Sequence, residues 1–376
     1  MDRGWTPGWG ARTRVALVCA ASVALGGCLG DGGGDEPHVI RGDVATVYTS
    51  VPRHGVSVPA SEQVLAGERR ALAARHGRAG GFRIRLRELP ATDDREHAWD
   101  PGLVAANANR AADDPTAIAY LGELDYGATA VSLPITNDAG LLQVSPLDGL
   151  TSLTERPPGR PRAGPERYYP SGSRSFVRIG PTDLSEARVI AERLKDADTT
   201  RIGIVFDREI YGRELAAQVA ELARDEGLKP VALQEYRGQV DEIPDIVRQL
   251  AEARPDAVVE LSVAGRGTIP MFVSIDAVLP GVPVYATSGM LALPELSVPP
   301  GPEHIEAFGP VLGPERAGYD AMRLVLDAID AGRRDRRSVI AAGLRLGETL
   351  PPRRIALYEP DEHGRFRRSQ ARFSPR

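Results

Sequence analysis

The stretch AIAYLGELDYGATAVSLPITNDAGLLQVSP, residues 117–146, decides the fold of this chain. A short apolar run, a turn of small residues, a helical segment and a second apolar run predict one strand–turn–helix–strand unit. Such a crossover is right-handed and builds a parallel sheet. Because ligands of open parallel sheets bind beyond the carboxyl ends of the strands, we interpret this unit as half of a small-molecule binding cleft.

Small residues follow both predicted strands of this unit. Gly127, Ala128 and Thr129 come after the first strand, and Ser145 comes after the second. A helix that begins at small residues leaves backbone N–H groups free to hold a carboxylate or another polar group. These positions are therefore candidates for ligand contact, and Thr129 is equally suited to cap the helix with no ligand present.

The length and composition allow a globular protein with two lobes. The chain has 376 residues, of which 42% are apolar and 26% are charged, enough for two cores of ordinary size. A net charge of −5 argues against nucleic acid as the main partner. Both cysteines, Cys19 and Cys28, lie near the start of the chain, so we expect no thiol chemistry and no disulfide in the folded part.

The sequence carries no motif of an enzyme or a metal site. Its six histidines lie at positions 38, 54, 76, 97, 304 and 363, with no pair four residues apart. It has no Gly-x-Ser-x-Gly turn and no phosphate loop that ends in Gly-Lys-Ser/Thr. We therefore expect no catalytic residues, no metal and no cofactor.

Residues 1–27 have the pattern of a signal peptide. Arginines precede an apolar run from Val15 to Leu25, which is too short to span a bilayer comfortably. The run ends in Leu25-Gly-Gly-Cys28, which resembles the bacterial lipobox. This resemblance implies cleavage before Cys28, lipidation of Cys28 and anchoring to the outer face of the cell membrane. An ordinary secretory signal with an incidental cysteine is the alternative.

Strand and helix patterns alternate along the rest of the chain, which predicts an α/β fold of two doubly wound parallel-sheet lobes. Residues 28–42 are rich in Gly and Asp and predict a flexible tether. Pro-rich stretches at 155–174 and 291–314 predict loops between lobes. The predicted lobes are residues 43–175 with 313–350 and residues 176–305 with 354–376. The run Arg333-Arg-Asp-Arg-Arg337 most simply predicts a solvated turn, and a basic binding patch is the alternative.

Four stretches of the sequence carry a family resemblance. They are Tyr48-Thr-Ser-Val-Pro52, Asp125-Tyr-Gly-Ala-Thr-Ala130, Leu141-Leu-Gln-Val-Ser-Pro146 and Ile204-Val-Phe-Asp-Arg-Glu-Ile-Tyr-Gly-Arg-Glu-Leu215. Together they resemble the type I periplasmic binding proteins, and within them the branched-chain-amino-acid-binding (leucine-binding-like) family that serves ABC importers. The resemblance covers residues 43–366 and implies lobes joined by three hinge crossovers, near residues 176, 305 and 352, that close on a ligand.

The resemblance also assigns roles to individual residues. It implies that Ala128, Thr129 and Ser145 of the first lobe hold a ligand carboxylate, and that Tyr211 of the second lobe closes over the ligand. The sequence departs from the family pattern at Thr287-Ser288-Gly-Met290, which lacks the carboxylate expected for an ammonium group. It also lacks the expected aromatic residue after Ser262.

Further candidates follow from their positions at predicted strand ends. Asp125 and Asp207 can bind a cationic group or cap the following helix. Arg53, His54 and Arg266 favour an anionic ligand if they point into the cleft, and otherwise belong to the solvated surface. The complete set of predicted ligand contacts is Ser50, Arg53, Asp125, Tyr126, Ala128, Thr129, Ser145, Asp148, Tyr211, Ser262 and Ser288.

These patterns favour a lipid-anchored extracytoplasmic protein that captures a small polar ligand, an amino acid or a related compound, between two lobes. Its expected partners are the ligand, the membrane through the N-terminal lipid, and the permease of an ABC importer. Two alternatives stay open at this point. One is a ligand-sensing or signalling lipoprotein of the same fold, and the other is a scaffold that binds no ligand.

Overall fold

The computed structural model describes residues 39–55, 57–93, 99–265, 267–291 and 305–369. The predictions for the signal peptide, for Cys28 and for Arg266 lie outside the described residues. Within these ranges, no helix combines the length and the apolar character that crossing a membrane requires.

The first lobe is built on a six-stranded sheet. Its strands are β1 (Val44–Val51), β2 (Arg78–Ala79), β3 (Phe82–Pro90), β4 (Ala117–Leu121), β5 (Leu142–Ser145) and β6 (Phe176–Arg178). They lie in the order β2-β3-β1-β4-β5-β6, and all neighbours are parallel except β2 and β3. Beyond β3 lies only the two-residue β2. This position explains the alternating sequence of β3, because one of its faces meets solvent.

The second lobe is built on a seven-stranded sheet. Its strands are β7 (Arg201–Asp207), β8 (Lys229–Tyr236), β9 (Ala257–Leu261), β10 (Val284–Ala286), β11 (Ile305–Pro310), β12 (Ile355–Pro360) and β13 (Phe366–Arg368). Their order is β13-β12-β11-β10-β9-β7-β8. The strands from β8 to β11 are parallel, while β11, β12 and β13 pair in antiparallel fashion, so β12 and β13 form a C-terminal hairpin.

Helices pack on both sheets, as the alternating pattern predicts. They are α1 (Val58–Ala74), α2 (Pro101–Asp113), α3 (Thr129–Asp138), α4 (Asp183–Asp196), α5 (Ile210–Asp225), α6 (Ile243–Ala253), α7 (Thr268–Val278), α8 (Ser288–Leu291), α9 (Pro314–Gly332) and α10 (Arg336–Glu348). Short 3₁₀ turns lie at Thr151–Leu153, Pro165–Tyr168 and Val240–Glu242. The two-lobed α/β fold class is therefore confirmed.

The chain passes between the sheets three times within the described residues. The passages are residues 179–182 between β6 and α4, residues 311–313 between β11 and α9, and residues 349–354 between α10 and β12. Helices α9 and α10 return to the core of the first lobe, where Val325 and Val339 are buried. Two passages thus lead out of this lobe and one leads back into it.

Two segments differ from the sequence-based expectation. The sequence predicts Phe176 at the start of the second lobe, but β6 pairs with β5 in the first sheet through Gln143 and Phe176. The described part of the Pro-rich stretch contains β11, a strand that the sequence does not predict. Its apolar residues are few and it ends in Pro310, so it lacks the run or alternation that marks a strand.

Close helix packing holds the first lobe together. A Cβ atom on Gly67 of α1 would lie 1.9 Å from the carbonyl oxygen of Glu315, and one on Gly318 of α9 would lie 2.2 Å from the carbonyl oxygen of Val64. The backbones of α1 and α9 therefore approach each other too closely for any side chain at these two positions.

The arginine run at 333–337 is not wholly solvated. Arg336 begins α10, is only 4% exposed and donates hydrogen bonds to the carbonyl oxygens of Asp114, Ala117 and Ala139. The prediction of a solvated turn is therefore wrong at Arg336. A guanidinium with several donors can be buried where unpaired carbonyl oxygens at element ends accept them.

Candidate functional site

The carboxyl ends of the two sheets meet at three residues, which we call the lobe seam: Tyr126, Tyr211 and Ser288. Tyr126 follows β4 of the first lobe, Tyr211 lies in the first turn of α5, and Ser288 begins α8 after β10. The rings of Tyr126 and Tyr211 lie 4.4 Å apart between centroids, at an angle of 35°. The hydroxyls of Tyr126 and Ser288 share a hydrogen bond of 2.5 Å. The structure thus brings together three predicted ligand contacts from two lobes.

Tyr211 is held in place from its own lobe. Its side chain is fully buried, and its hydroxyl shares a hydrogen bond of 2.7 Å with the hydroxyl of Thr287. The neighbouring Ile210 reaches the first lobe, because a Cβ atom on Gly127 would lie 2.3 Å from its Cγ2 atom. Only glycine leaves room for this approach of the two lobes.

The N-terminus of α3 does not present free N–H groups in this structure. The backbone nitrogens of Gly127 and Thr129 donate to the carboxylate of Asp148 over 3.4 and 3.1 Å, and that of Leu150 donates over 3.0 Å. Asp148 is fully buried. The groups expected to hold a ligand carboxylate are therefore bonded to a carboxylate of the chain itself. Whether Ala128, which is buried beside them, contacts a ligand stays a prediction.

Thr129 and Ser145 also make their hydrogen bonds inside the first lobe. The hydroxyl of Thr129 accepts from the backbone nitrogen of Glu123 over 3.1 Å. Ser145 donates to the carbonyl oxygen of Glu123 over 2.6 Å and accepts from the backbone nitrogen of Asp148 over 2.9 Å. Both side chains hold the loop that follows β4, so they position Tyr126 at the seam.

Asp125 is a buried carboxyl group on the same loop. It accepts a hydrogen bond of 2.6 Å from the hydroxyl of Ser57. Burial raises the pKa of Asp125 to about 7, which the hydrogen bond from Ser57 opposes and the nearby charge of Asp148 increases. The hydrogen bond ties the loop to the start of α1.

Two carboxyl groups of α4, which the sequence did not single out, lie beside the seam. Glu186 accepts a hydrogen bond of 3.1 Å from the backbone nitrogen of Ser288, and burial raises its pKa to about 7. Asp183 is 1% exposed, and neither of its oxygens has a hydrogen-bond partner among the described residues. Burial, together with the charges of Glu186, Asp148 and Glu214, raises the pKa of Asp183 well above its usual range.

One of these two groups supplies the carboxylate that the family pattern leads one to expect at Thr287–Met290. That stretch contains no carboxylate, but Glu186 supplies one to Ser288 from 102 positions earlier in the chain. No local signal could have identified it, because the side chain reaches the seam through the packing of α4 against the second lobe.

The loop after β5 joins the two lobes beside these carboxylates. The backbone nitrogen of Ser152 donates to Glu214 of α5 over 2.8 Å. Arg178 is 4% exposed and donates to the carbonyl oxygens of Asp148 and Leu150 and to the hydroxyl of Thr154. This loop, which precedes the Pro-rich stretch at 155–174, therefore links the two lobes through Ser152 and Glu214.

Of the remaining predicted contacts, Ser50 and Arg53 have side-chain partners, whereas the hydroxyl of Ser262 has none among the described residues. Ser50 accepts from the side chain of Asn107 over 3.0 Å, inside the first lobe. Arg53 pairs with Glu88 over 2.6 Å at a partly exposed position. Ser262 is buried, and its backbone nitrogen donates to Glu260.

Asp207 and His54 are two residues for which the sequence leaves more than one role open, and the structure shows their hydrogen bonds. Asp207 accepts from the backbone nitrogens of Glu209 and Val263 over 3.1 and 2.9 Å, so it ties the turn before α5 to the loop after β9. The backbone nitrogen of His54 donates to Thr92 over 2.8 Å. Across the described ranges, no three or more His, Cys, Asp or Glu residues form a group that could hold a metal ion.

Comparison with known proteins places this geometry in context. The family model described as "Periplasmic binding protein" matches residues 69–294, more than half of the chain. Among curated protein sequences, none matches the chain.

Solved structures share the fold at low sequence identity. The leucine binding protein LivK of Thermotoga maritima is 17% identical, covers 86% of this chain and 97% of its own, and has a TM-score of 0.68. An ABC transporter substrate-binding protein of Desulfitobacterium hafniense in complex with Leu is 18% identical, with coverages of 87% and 100% and a TM-score of 0.67. A solute binding protein of an R. palustris ABC transporter in complex with benzoate is 15% identical, with coverages of 86% and 95% and a TM-score of 0.67.

Proposed function

Because the chain belongs to the periplasmic binding protein family, we propose that it is an extracytoplasmic solute-binding protein. It captures a small polar ligand, an amino acid or a related compound, between its two lobes and delivers it to an ABC importer. It performs no catalysis. Two of the similar structures are complexes with leucine and with benzoate, which are both small molecules.

The contact of Tyr126 with Tyr211 and Ser288 is the observation that supports this proposal. It joins the carboxyl ends of two separate sheets, where ligands of parallel sheets bind. A ligand held there touches both lobes only when they are together, so it stabilises that arrangement by its differential affinity. A permease then distinguishes loaded from empty protein by the arrangement of the lobes.

The same proposal includes a lipid anchor on Cys28. A protein that feeds a permease gains from confinement to the membrane surface, since confinement raises the effective concentration of one partner near the other. Labelling of the chain in cells with a radioactive fatty acid should be lost in Cys28→Ala and retained in Cys19→Ala. Equal labelling of both variants would contradict the anchor.

A thermal-shift screen tests the binding function. The full chain, purified in detergent micelles, is heated with amino acids, amines, amides, carboxylates and polyols. A ligand at one hundred times its dissociation constant should stabilise the protein by about 2.7 kcal/mol, a clear shift of the melting temperature.

Variants then locate the binding site. Tyr126→Phe removes the hydroxyl that reaches Ser288. It should weaken the affinity for a ligand of the cleft several-fold, because one hydrogen bond of about 1 kcal/mol between the lobes is lost. The control is Tyr319→Phe, a tyrosine of α9 whose ring lies beside Arg70. If no compound stabilises a well-folded sample, or if both variants bind equally well, the proposal is wrong.

A further inference from the structure

The carboxyl groups around the lobe seam indicate which charge a ligand needs. Building on the solute-binding function above, we propose that the ligand is a small organic cation, with its charged nitrogen beside Glu186 and the rings of Tyr126 and Tyr211. A ligand whose polar end is a free carboxylate is disfavoured by the same groups. The proposal rests on the filled helix terminus, an unpaired buried carboxyl group and the contact between the two tyrosine rings.

The first observation is that the site for a ligand carboxylate is already filled. The N–H groups of Gly127, Thr129 and Leu150 donate to Asp148, which is fully buried. A second carboxylate at the start of α3 would find these donors occupied. It would also lie close to a like charge, which is unfavourable where water is excluded.

The second observation is an unpaired carboxyl group between the lobes. Asp183 is 1% exposed, and both of its oxygens lack a hydrogen-bond partner among the described residues. Its Oδ1 atom lies 2.2 Å from the position that a Cβ atom on Gly149 would take, so it points from α4 towards the first lobe. A buried carboxyl group without a donor is costly, and an ammonium group supplies the missing donors.

Arg178 does not compensate these groups through hydrogen bonds. Its charge acts on Asp148 and Asp183, but its side-chain nitrogens donate to two carbonyl oxygens and to Thr154. Four buried carboxyl groups lie in this region, those of Asp148, Asp183, Glu186 and Glu214, and burial raises the pKa of each. A cation bound beside these groups would favour their ionised forms, whereas a bound anion would disfavour them.

The third observation is the aromatic pair itself. The centroids of Tyr126 and Tyr211 lie 4.4 Å apart, and the charge of Glu186 acts on both hydroxyls. Aromatic faces attract cations, most strongly where water is excluded. Rings and carboxyl groups therefore favour the same sign of charge.

The test uses compounds that share a carbon skeleton and differ in charge. The probes are 3-methylbutylamine, 4-methylpentanoate, leucine and 4-methylpentanamide, together with benzylamine and benzoate. Calorimetry on the full chain in detergent at pH 7 measures each affinity. We expect the amines to bind at least about tenfold more tightly than the matching carboxylates and amide, as a charge-assisted contact requires.

Two neutral variants and a matched control make the result specific. Glu186→Gln and Asp183→Asn should each weaken amine binding about tenfold while circular dichroism stays that of the natural chain. Glu68→Gln, a buried carboxyl group of α1 that contacts Thr49, should leave it within twofold.

The inference and the proposed function fail in different ways. If the carboxylates or leucine bind and lose affinity in Tyr126→Phe while the amines do not bind, the ligand charge is wrong and the solute-binding function stands. Equal binding of amine and amide likewise overturns the requirement for charge. Absence of binding by every amine also overturns the inference, whereas the broad thermal screen decides the function separately.

Discussion

Glu68 offers a direct test of how burial controls ionisation in this protein. It lies on α1 and is fully buried; one carboxyl oxygen accepts a 3.2 Å hydrogen bond from Thr49, and the other has no partner among the described residues. Burial raises its pKa from 4.5 to about 8, and the hydrogen bond from Thr49 opposes only part of this change. We therefore expect the folded chain to hold this proton at neutral pH.

The raised pKa makes the free energy of unfolding depend on pH. Between about pH 4.5 and pH 8 the folded state binds a proton that the unfolded state has released. The contribution of Glu68 is fully present below the unfolded pKa and is lost as the pH rises through the folded pKa. From pH 5 to pH 8, this one group should lower the free energy of unfolding by about 3 kcal/mol.

Substitution of Glu68 by Gln removes this dependence and keeps an oxygen for Thr49. Urea denaturation of both proteins at pH 5 and pH 8 gives two stability differences, and constant packing effects cancel when one is subtracted from the other. From pH 5 to pH 8, the free energy of unfolding of the variant should rise by about 3 kcal/mol relative to that of the natural chain. In thermal unfolding this corresponds to roughly 4 °C.

The control is Glu315→Gln, a partly exposed carboxylate that pairs with Arg70 and whose substitution should have a similar effect at both pH values. If Glu68→Gln changes stability equally at pH 5 and pH 8, the group ionises in the folded chain as it does in water. That result would refute the argument from burial.

Two further predictions concern packing in the first lobe. Gly318→Ala places a Cβ atom 2.2 Å from the carbonyl oxygen of Val64. Urea denaturation should show a loss of about 3 kcal/mol in the free energy of unfolding. The control is Gly313→Ala, where no atom lies within 4 Å of the new Cβ atom and the effect should be small. Equal losses for the two would show that the contact between α1 and α9 is not tight. Arg336→Met removes three hydrogen bonds to carbonyl oxygens and should lower the free energy of unfolding by about 3 kcal/mol. Arg337→Met, at an exposed position, should leave the free energy of unfolding nearly unchanged. An unchanged stability of Arg336→Met would contradict the buried role of Arg336.

The sequence by itself determined the two-lobed fold and the general place of the site. Alternating strand and helix periods are local properties, so they mark most elements, including β4, α3 and β5 around residues 117–146. The strand-to-helix turns that carry Tyr126 and Tyr211 follow from the same local patterns. Where the pattern is short or broken, as in β11, the same reasoning fails because a strand of few apolar residues has no recognisable period.

Only the tertiary structure decided what surrounds the seam. Asp148 fills the N-terminus of α3 from 19 positions beyond Thr129, and Glu186 reaches Ser288 across 102 positions. Whether Asp183 is unpaired depends on how α4 packs between the lobes. Periodicity records which face of an element is buried, whereas these contacts depend on the path of loops and the approach of two sheets. The electrostatic character of the site therefore comes from packing that no local stretch of sequence encodes.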